Sequence, residues 1–390
     1  MKNAADWNAA SWNAASWNAP SWNELSQQSD QDILAWAANQ PWAVTMADCQ
    51  QDPGWHAEGD VWTHTLMVCD QLFQLPVWPE LSRDTQLKLL LTAIFHDSGK
   101  PATTYLDEET GRIRSPKHAQ HGMRIARRCL IELGCDVETR ESICHLILFH
   151  GRPPYLAKQA KPAFELIKLS TYVDHRLLYL FAIADTRGRI CESDGAHTEE
   201  ILELWRLVAE ENRCWKHPFE FASDHTRFLF HRGQIDNLHY QPHHDFRCKM
   251  TIMCGLPGAG KDTWLQKNMP DMPVVSLDAI RKELKIQPTD NQGVVVQTAR
   301  QRCREYLRDR TDFALNATNT TRQVRKLWID LGADYDAKVS VVYVEPNIQL
   351  LLEQNSGRDA RVPEKVIQRL VDKLDPPTLA ESHELLFAAT

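Results

Sequence analysis

The chain of 390 residues lacks any run of about 18 uncharged apolar residues, which excludes a transmembrane helix. Its N-terminus has neither the basic start nor the apolar core of a secretory signal, so no leader is expected. There is no CxxC pair. Ten cysteines are scattered from Cys49 to Cys303, the usage of reduced thiols in a cytoplasmic protein. Positive charge is not in excess either: 44 Lys and Arg stand against 52 Asp and Glu, a net charge of −8. That excludes a histone-like polycation but leaves room for a local basic groove. What is present is an ordinary soluble composition, 43% apolar and 25% charged, long enough for two or three domains with real cores.

Tryptophan is high at 13 residues, partly because Trp7, Trp12, Trp17 and Trp22 recur every five residues in a Trp-Asn-Ala-Ala-Ser repeat. A period of five matches neither helix nor strand, so no apolar face forms. Residues 1–28 therefore read as a disordered tail, with a docking or nucleic-acid stacking segment as the alternative. Residues 29–231 are helical in pattern. Asp84-Thr85 heads the apolar run Leu87 to Phe95, and further helices are expected over Ile125–Leu133, Arg140–Phe149, Leu177–Ala184 and Thr198–Glu211. Residues 232–247 are polar with Gly and Pro, as in a linker. From 248 to 390, strand candidates at Cys248–Cys254, Val274–Leu277, Phe313–Leu315 and Val339–Val344 alternate with helices. The expected fold class is multidomain: an all-helical domain followed by an α/β domain with a parallel sheet.

The first strand runs into Gly255-Leu-Pro-Gly258-Ala259-Gly260-Lys261-Asp262-Thr263, a GxxxxGK loop that opens a helix. Its glycines let backbone N–H groups face a phosphate chain, and Lys261 reaches the terminal phosphates. Asp262 stands where Ser or Thr is usual; a carboxylate is a competent Mg²⁺ ligand, and Thr263 offers the hydroxyl instead. The second strand ends at Ser276-Leu277-Asp278. Asp278 there can accept a proton from an acceptor hydroxyl, and Arg281 one turn later can clamp a phosphate. An N-cap aspartate beside a solvated arginine would carry the same letters. Asn316 to Asn319 close the third strand at the same edge. Residues 355–363, with Arg358 and Arg361, suit a lid that brings arginine onto phosphoryl oxygens. Between Arg300 and Lys326 there are 8 Lys and Arg against 3 Asp and Glu. A solvated face is the ordinary reading of such a stretch, and a nucleic-acid groove the functional one.

The helical part holds His64, His96-Asp97 before Ser98-Gly99-Lys100, His118, His121, His145, His150 and Asp185. Imidazoles and carboxylates in this density suit a divalent transition metal, which acidifies water into a nucleophile. A lone buried histidine is usually a satisfied core residue. An adjacent His-Asp ending an apolar helix is harder to bury without a ligand.

These motifs carry two resemblances. GLPGAGKDTW, Asp278-x-x-Arg281 and the basic lid resemble the P-loop polynucleotide 5′-kinases. That implies Asp278 as general base, Arg281 on the acceptor phosphate, Lys261 on ATP and Arg358 or Arg361 in the lid. The series His…His-Asp…His…His…Asp resembles the HD phosphohydrolase superfamily. It implies His64, His96, Asp97 and Asp185 as the core metal site, extended by His118 and His150, with His121 and His145 as neighbours. Lys100 and Arg189 are then placed to bind a substrate phosphate. Ala184 to Arg189 is also similar to the HD domain of bacterial tRNA nucleotidyltransferases, which acts on 2′- and 2′,3′-cyclic phosphate.

The combined order over roughly residues 40–380 resembles the bacterial bifunctional HD-domain polynucleotide phosphatase–kinases. That resemblance implies ATP and Mg²⁺ for the kinase and Mn²⁺, Co²⁺ or Ni²⁺ for the HD site. It also implies RNA or DNA ends as partners, a nucleic-acid ligase downstream, and no membrane. Two rivals are an HD nucleotidase fused to a nucleoside or small-molecule kinase, and a non-enzymatic ATP-dependent switch for which Asp262 is the only support.

Overall fold

The computed structural model describes residues 20–191, 195–357 and 361–388, residue 196 without its side chain. Its contacts divide the chain into two units, one up to Phe219 and one from Glu220.

The first unit contains α1 (Trp22–Gln27), α2 (Asp30–Ala38), α3 (Pro41–Ala47), α4 (Val61–Phe73) and α5 (Arg83–Phe95). A small antiparallel hairpin, β1 (Tyr105–Asp107) and β2 (Arg112–Arg114), follows. The unit is completed by α6 (His118–Glu132), α7 (Val137–Phe149), α8 (Pro162–Ser170), α9 (His175–Arg187) and α10 (Gly195–Glu211). Side-chain oxygens start the helices that matter: Asp60 caps α4, Asp136 caps α7 and Asp174 caps α9. Each such cap stabilises its helix by about 1 kcal/mol. For α5 the cap is Ser82 and not Asp84-Thr85, which lie inside the first turn. Trp42, Phe95 and Phe181 are buried in the core, the Trp42 and Phe95 rings 4.6 Å apart. Burying each such side chain contributes roughly 1.5–3 kcal/mol. That packing brings the end of α5, the start of α6, the end of α7, the end of α9 and the first turn of α4 to one place.

Two boundaries differ from the sequence pattern. The tail expected over 1–28 is structured from Pro20 onward. A reciprocal Ser21–Glu24 capping box opens α1, Leu25 is fully buried, and Trp22 N–H donates to Leu133 O at 2.6 Å. The repeat masked this helix, because a period of five says nothing about the first apolar residue beyond it. Residues 1–19 lie outside the described residues. The second difference is α11 (Asp224–His231), expected in the helical domain but part of the second unit. Arg227 there donates to Leu379 O and His383 O at 3.0 and 2.7 Å. An amphipathic pattern marks a helix without saying which core receives it.

The second unit continues, after irregular chain over 232–247, with β3 (Cys248–Cys254), α12 (Lys261–Asn268), β4 (Val274–Ser276) and α13 (Leu277–Leu284). Then come α14 (Gly293–Arg308), β5 (Phe313–Asn316), α15 (Arg322–Ala333) and β6 (Ala337–Val344). The last elements are α16 (Ile348–Ser356), α17 (Glu364–Asp372) and β7 (Glu384–Ala388). The five strands form one parallel sheet in the order β4-β5-β3-β6-β7. β3 is central, and the chain leaves it toward β4 on one side before returning to β6 on the other. Ligands bind at the carboxyl ends of strands at such a switch point. The edge strand β7 was not anticipated: Leu386 and Phe387 are half exposed, so no buried run announces it. Among the described residues no helix is long and apolar enough to cross a membrane.

Candidate active sites

In the first unit the side chains of five helices meet. His64 comes from α4, His96 and Asp97 from the end of α5, His118 from the start of α6, His150 from the end of α7 and Asp185 from α9. His64 Nε2 lies 3.1 Å from Asp185 Oδ1 and 3.9 Å from Asp97 Oδ2. His96 Nε2 is 3.1 Å from Asp97 Oδ2. The other Asp97 oxygen faces His118 Nε2 at 3.4 Å and His150 Nε2 at 4.0 Å. These donors thus form two adjoining groups, His64–His96–Asp185 and Asp97–His118–His150, each gathered within 4.8 Å, and His64 also belongs to a third such group with His56 and Glu58. Gly99 makes the junction possible: a Cβ there would sit 2.1 Å from His118 O and 2.5 Å from Gly122 N, so only glycine lets this loop reach α6.

The hydrogen bonds set which nitrogen faces the site. His96, His118 and His150 each place Nδ1 2.7 Å from the carbonyl three residues back, on Ala93, Ser115 and Ile147. A carbonyl only accepts, so each proton is on Nδ1 and each Nε2 lone pair points into the cluster. His118 Nε2 and His150 Nε2 then face each other at 3.3 Å, two lone pairs that a cation would reconcile. His96 Nε2 and Asp97 Oδ1 are buried with no hydrogen-bond partner. Orphaned acceptors in this number are costly unless a ligand satisfies them. The donor set therefore fits one or two divalent transition metals.

Electrostatics agree. Burial alone would raise the Asp97 carboxyl, but His96 and Lys100 outweigh it and hold it well below the usual carboxylate range. Asp185 is likewise held low against its burial by Arg189 and His64. Burial, with His118 and His96 beside it, pushes His150 down to about 3, leaving a neutral imidazole able to ligate. Burial opposes charge on His64, yet the Asp185 and Glu58 carboxylates beside it raise its pKa above the ordinary histidine value.

Lys100 Nζ contacts Asp97 Oδ2 and Gln51 Oε1, both at 2.6 Å. Arg189 Nη2 contacts Asp185 Oδ2 at 2.6 Å. Both cations thus sit at the rim of the metal-type cluster, with the carboxylates aiming them. His121 and His145 belong to neither donor group; His145 packs edge-on against Tyr172. Gln51, His56 and Glu58 in the loop before α4 were missed by the sequence reading. His56-x-Glu58 shortly ahead of His64 was the available signal.

In the second unit the glycine-rich loop follows β3. Gly255 has φ 149°, and a Cβ on it would lie 2.3 Å from Val344 O, so a side chain is excluded. Gly258 and Gly260 also have positive φ, and α12 opens at Lys261 with its first N–H groups turned to the loop. Ala259 is buried and donates its N–H to Leu256 O at 3.2 Å. Lys261 Nζ curls back onto Gly255 O and Leu256 O at 3.0 and 2.8 Å. Asp262 Oδ1 accepts from Asn316 Nδ2 at 2.7 Å, and both Asp262 and Thr263 are exposed. Asn319 braces the end of β3 by donating to Met253 O at 2.8 Å.

The strand before Asp278 is shorter than the pattern suggested. β4 stops at Ser276, which caps α13, so Asp278 is a first-turn helix residue. Its carboxylate is mostly exposed and pairs with Arg281, which also donates through Nε to Gln292 Oε1 at 2.7 Å. In the lid segment Arg358 lies outside the described residues and Arg361 is exposed. Asn355 exchanges two hydrogen bonds with Val362 at 2.8 and 3.0 Å, pinning the ends of that segment together. The basic stretch is less available than its count implied. Arg325 is fully buried in a bidentate pair with Glu381, and Arg302 and Lys326 pair with Glu283 and Asp330.

Comparison with known proteins divides the chain the same way. A family described as "HD domain" matches residues 61–186, and one described as "AAA domain" matches residues 250–377. A CC-adding tRNA nucleotidyltransferase from Thermus thermophilus is 40% identical over 157 residues, 40% of this chain and 32% of the relative. An L-seryl-tRNA(Sec) kinase from Methanococcus maripaludis is 22% identical over 136 residues, 33% of this chain and 53% of the relative. The chain spans about a third and about half of the lengths of these two relatives. A solved structure from Chloroflexus aurantiacus, described as a candidate kinase, aligns with a TM-score of 0.31 at 17% identity over 36% of this chain and 85% of that one. The chain joins a helical HD domain to a kinase-like P-loop domain built on a parallel five-stranded sheet.

Proposed function

We propose that this protein heals nucleic-acid ends, as the bifunctional HD-domain polynucleotide phosphatase–kinases do. It phosphorylates a 5′-hydroxyl at the P-loop site and removes 2′-, 3′- or 2′,3′-cyclic phosphate at the HD site. One observation carries this reading: a single chain holds a metal-type cluster rimmed by Lys100 and Arg189 and, on a parallel sheet, a P-loop after β3 with the Asp278–Arg281 pair after β4.

At the kinase site Asp278 takes the proton of the 5′-hydroxyl as its oxygen attacks the γ-phosphorus and ADP leaves. Arg281 holds the acceptor phosphate, and Lys261 leaves its loop carbonyls for the ATP phosphates. Asp262 would offer its carboxylate to a Mg²⁺ ion bound with the nucleotide, and Arg361 would approach with the lid. At the hydrolase site, Lys100 and Arg189 hold non-bridging phosphate oxygens while water opens the ester bond. A divalent cation held by His64, His96, Asp97, His118, His150 and Asp185 would supply Lewis acidity to that phosphate and its attacking water. The resulting 3′-hydroxyl and 5′-phosphate are the ends a ligase joins.

That the nucleotidyltransferase and the kinase described above are each named for tRNA supports an RNA end over a free nucleoside. One observation favours the nucleoside or small-molecule acceptor instead: the burial of Arg325 and the pairing of Arg302 and Lys326 thin the basic stretch to exposed cations such as Arg308 and Arg310. An RNA oligonucleotide with 5′-hydroxyl and 2′,3′-cyclic phosphate ends, incubated with ATP, Mg²⁺ and Mn²⁺, decides. Conversion of both ends is expected. A free nucleoside phosphorylated as fast as the oligonucleotide would replace this reading by the small-acceptor one.

A further inference from the structure

The loop from Gln50 to Asp60, ahead of α4, has no part in the chemistry above, and the HD-domain match begins only at residue 61. It is a closed loop: Gln50 and Asp60 form a bridge, and Gln51 N–H donates to Gly59 O at 3.0 Å. It reaches the HD cluster twice. Gln51 holds Lys100 Nζ at 2.6 Å. Glu58, its side chain 1% exposed, places Oε1 2.8 Å from His56 Nδ1 and 2.9 Å from His64 Nδ1. Its Oε2 accepts Ile190 N–H at 2.9 Å, and Ala57 N–H donates to Ile190 O at 2.7 Å. The loop is thereby stitched to the chain just beyond α9, the helix that carries Asp185.

His64 differs here from the other histidines of the cluster. His96, His118 and His150 give Nδ1–H to a neutral carbonyl of their own helix end or loop. His64 shares its Nδ1 side between Gly188 O at 3.1 Å, 124 positions along the chain, and the Glu58 carboxylate of the loop that precedes its helix. A carboxylate behind an imidazole sets the tautomer, locks the ring and makes the far nitrogen a stronger donor to a metal. Burying Glu58 costs free energy that only these partners offset.

We propose that Glu58 is a positioning residue of the HD metal centre, holding His64 through Nδ1 and tying the loop from Gln50 to Asp60 against the end of α9. The affinity of the cluster for its metal then depends on a side chain that touches neither metal nor substrate. This inference rests on the metal-dependent hydrolase reading. It is tested on the full chain by titrating Mn²⁺ into wild type, Glu58→Gln and Glu58→Ala, counting free Mn²⁺ by its EPR signal. Hydrolysis of a cyclic-phosphate end is followed in the same samples.

Mn²⁺ binding is expected to weaken about tenfold in Glu58→Gln and toward about a hundredfold in Glu58→Ala. The rate at saturating Mn²⁺ should be largely restored. If Glu58→Ala fails to fold, the near-isosteric Gln variant decides. Equal affinities in wild type and the folded variants overturn the role of Glu58 while the metal centre stands. A rate that stays low at saturating Mn²⁺ also overturns it, because Glu58 would then act in the reaction itself. Wild type that binds no Mn²⁺ overturns the metal centre and the inference with it.

Discussion

The two candidate sites differ in how firmly their side chains are held. The HD cluster is tightly held: five of its six donors are buried, three imidazoles commit their Nδ1 protons to carbonyls, and two Nε2 lone pairs face each other at 3.3 Å. The P-loop site is slack. Lys261 contacts carbonyls of its own loop, Asp278 is mostly exposed and paired with Arg281, and Asn355 ties the chain on either side of the basic segment through Val362. A metal is small and has no strain to spend, so its site must be preorganised. A nucleotide brings many contacts and can order its own site.

The largest effects should separate the two sites outright. Asp97→Ala should lower end-phosphate hydrolysis on the order of 10³-fold, leaving kinase turnover intact. Lys261→Ala should lower kinase turnover on the order of 10²–10³-fold and spare hydrolysis. Parallel assays on one end-labelled oligonucleotide check both, and a folded variant that loses both activities breaks the comparison.

Next in size, Asp278→Asn should reduce kinase kcat by about 10²–10⁴-fold with ATP affinity unchanged, since a general base acts only in the reaction. Calorimetric ATP binding beside steady-state rates measures the split; a matching loss of ATP affinity would make Asp278 a binding group.

A smaller effect tests that difference itself. Mn²⁺ at a hundred times its Kd should stabilise the first unit by about 2.7 kcal/mol, and ATP with Mg²⁺ the second. Scanning calorimetry that resolves two transitions reads this. Chelation should lower only the first, and a shift of the second transition by Mn²⁺ alone would place the metal elsewhere.

The smallest effect is one the two units share. Burial, aided in His383 by the neighbouring His225, pushes His175 and His383 down to about 4, below the ordinary 6.5. The unfolded chain then binds the proton more readily. Stability is fully present above about pH 6.5 and is lost as pH falls toward 4, on the order of 2–3 kcal/mol per histidine. Urea unfolding at pH 7.5 and pH 5 should show this loss in both transitions, and His383→Leu should flatten it in the second alone. A slope unchanged by that variant would assign the acid sensitivity to other groups.

Much of the fold was legible because its signals are local. The boundaries of β3 match its apolar run, Cys248–Cys254. What was not legible is long-range. Leu25 and α11 are buried by partners far along the chain, β7 is a half-exposed edge, and Arg325 looks like any surface cation until Glu381 covers it. Glu58 and Gln51 sit in an irregular loop with no periodicity to mark them.

The sequence by itself determined the phosphate loop: nine contiguous residues act largely through their backbone, so spacing alone specifies the geometry. It also determined which residue types crowd the helical domain. Only the tertiary structure decided that His64 meets Asp185 across 121 positions, that three imidazoles turn Nε2 inward, and that Glu58 stands behind the fourth. The physical reason is that a metal centre is built from side chains on separate helices. Their separation is set by how a core packs, and no local pattern records that.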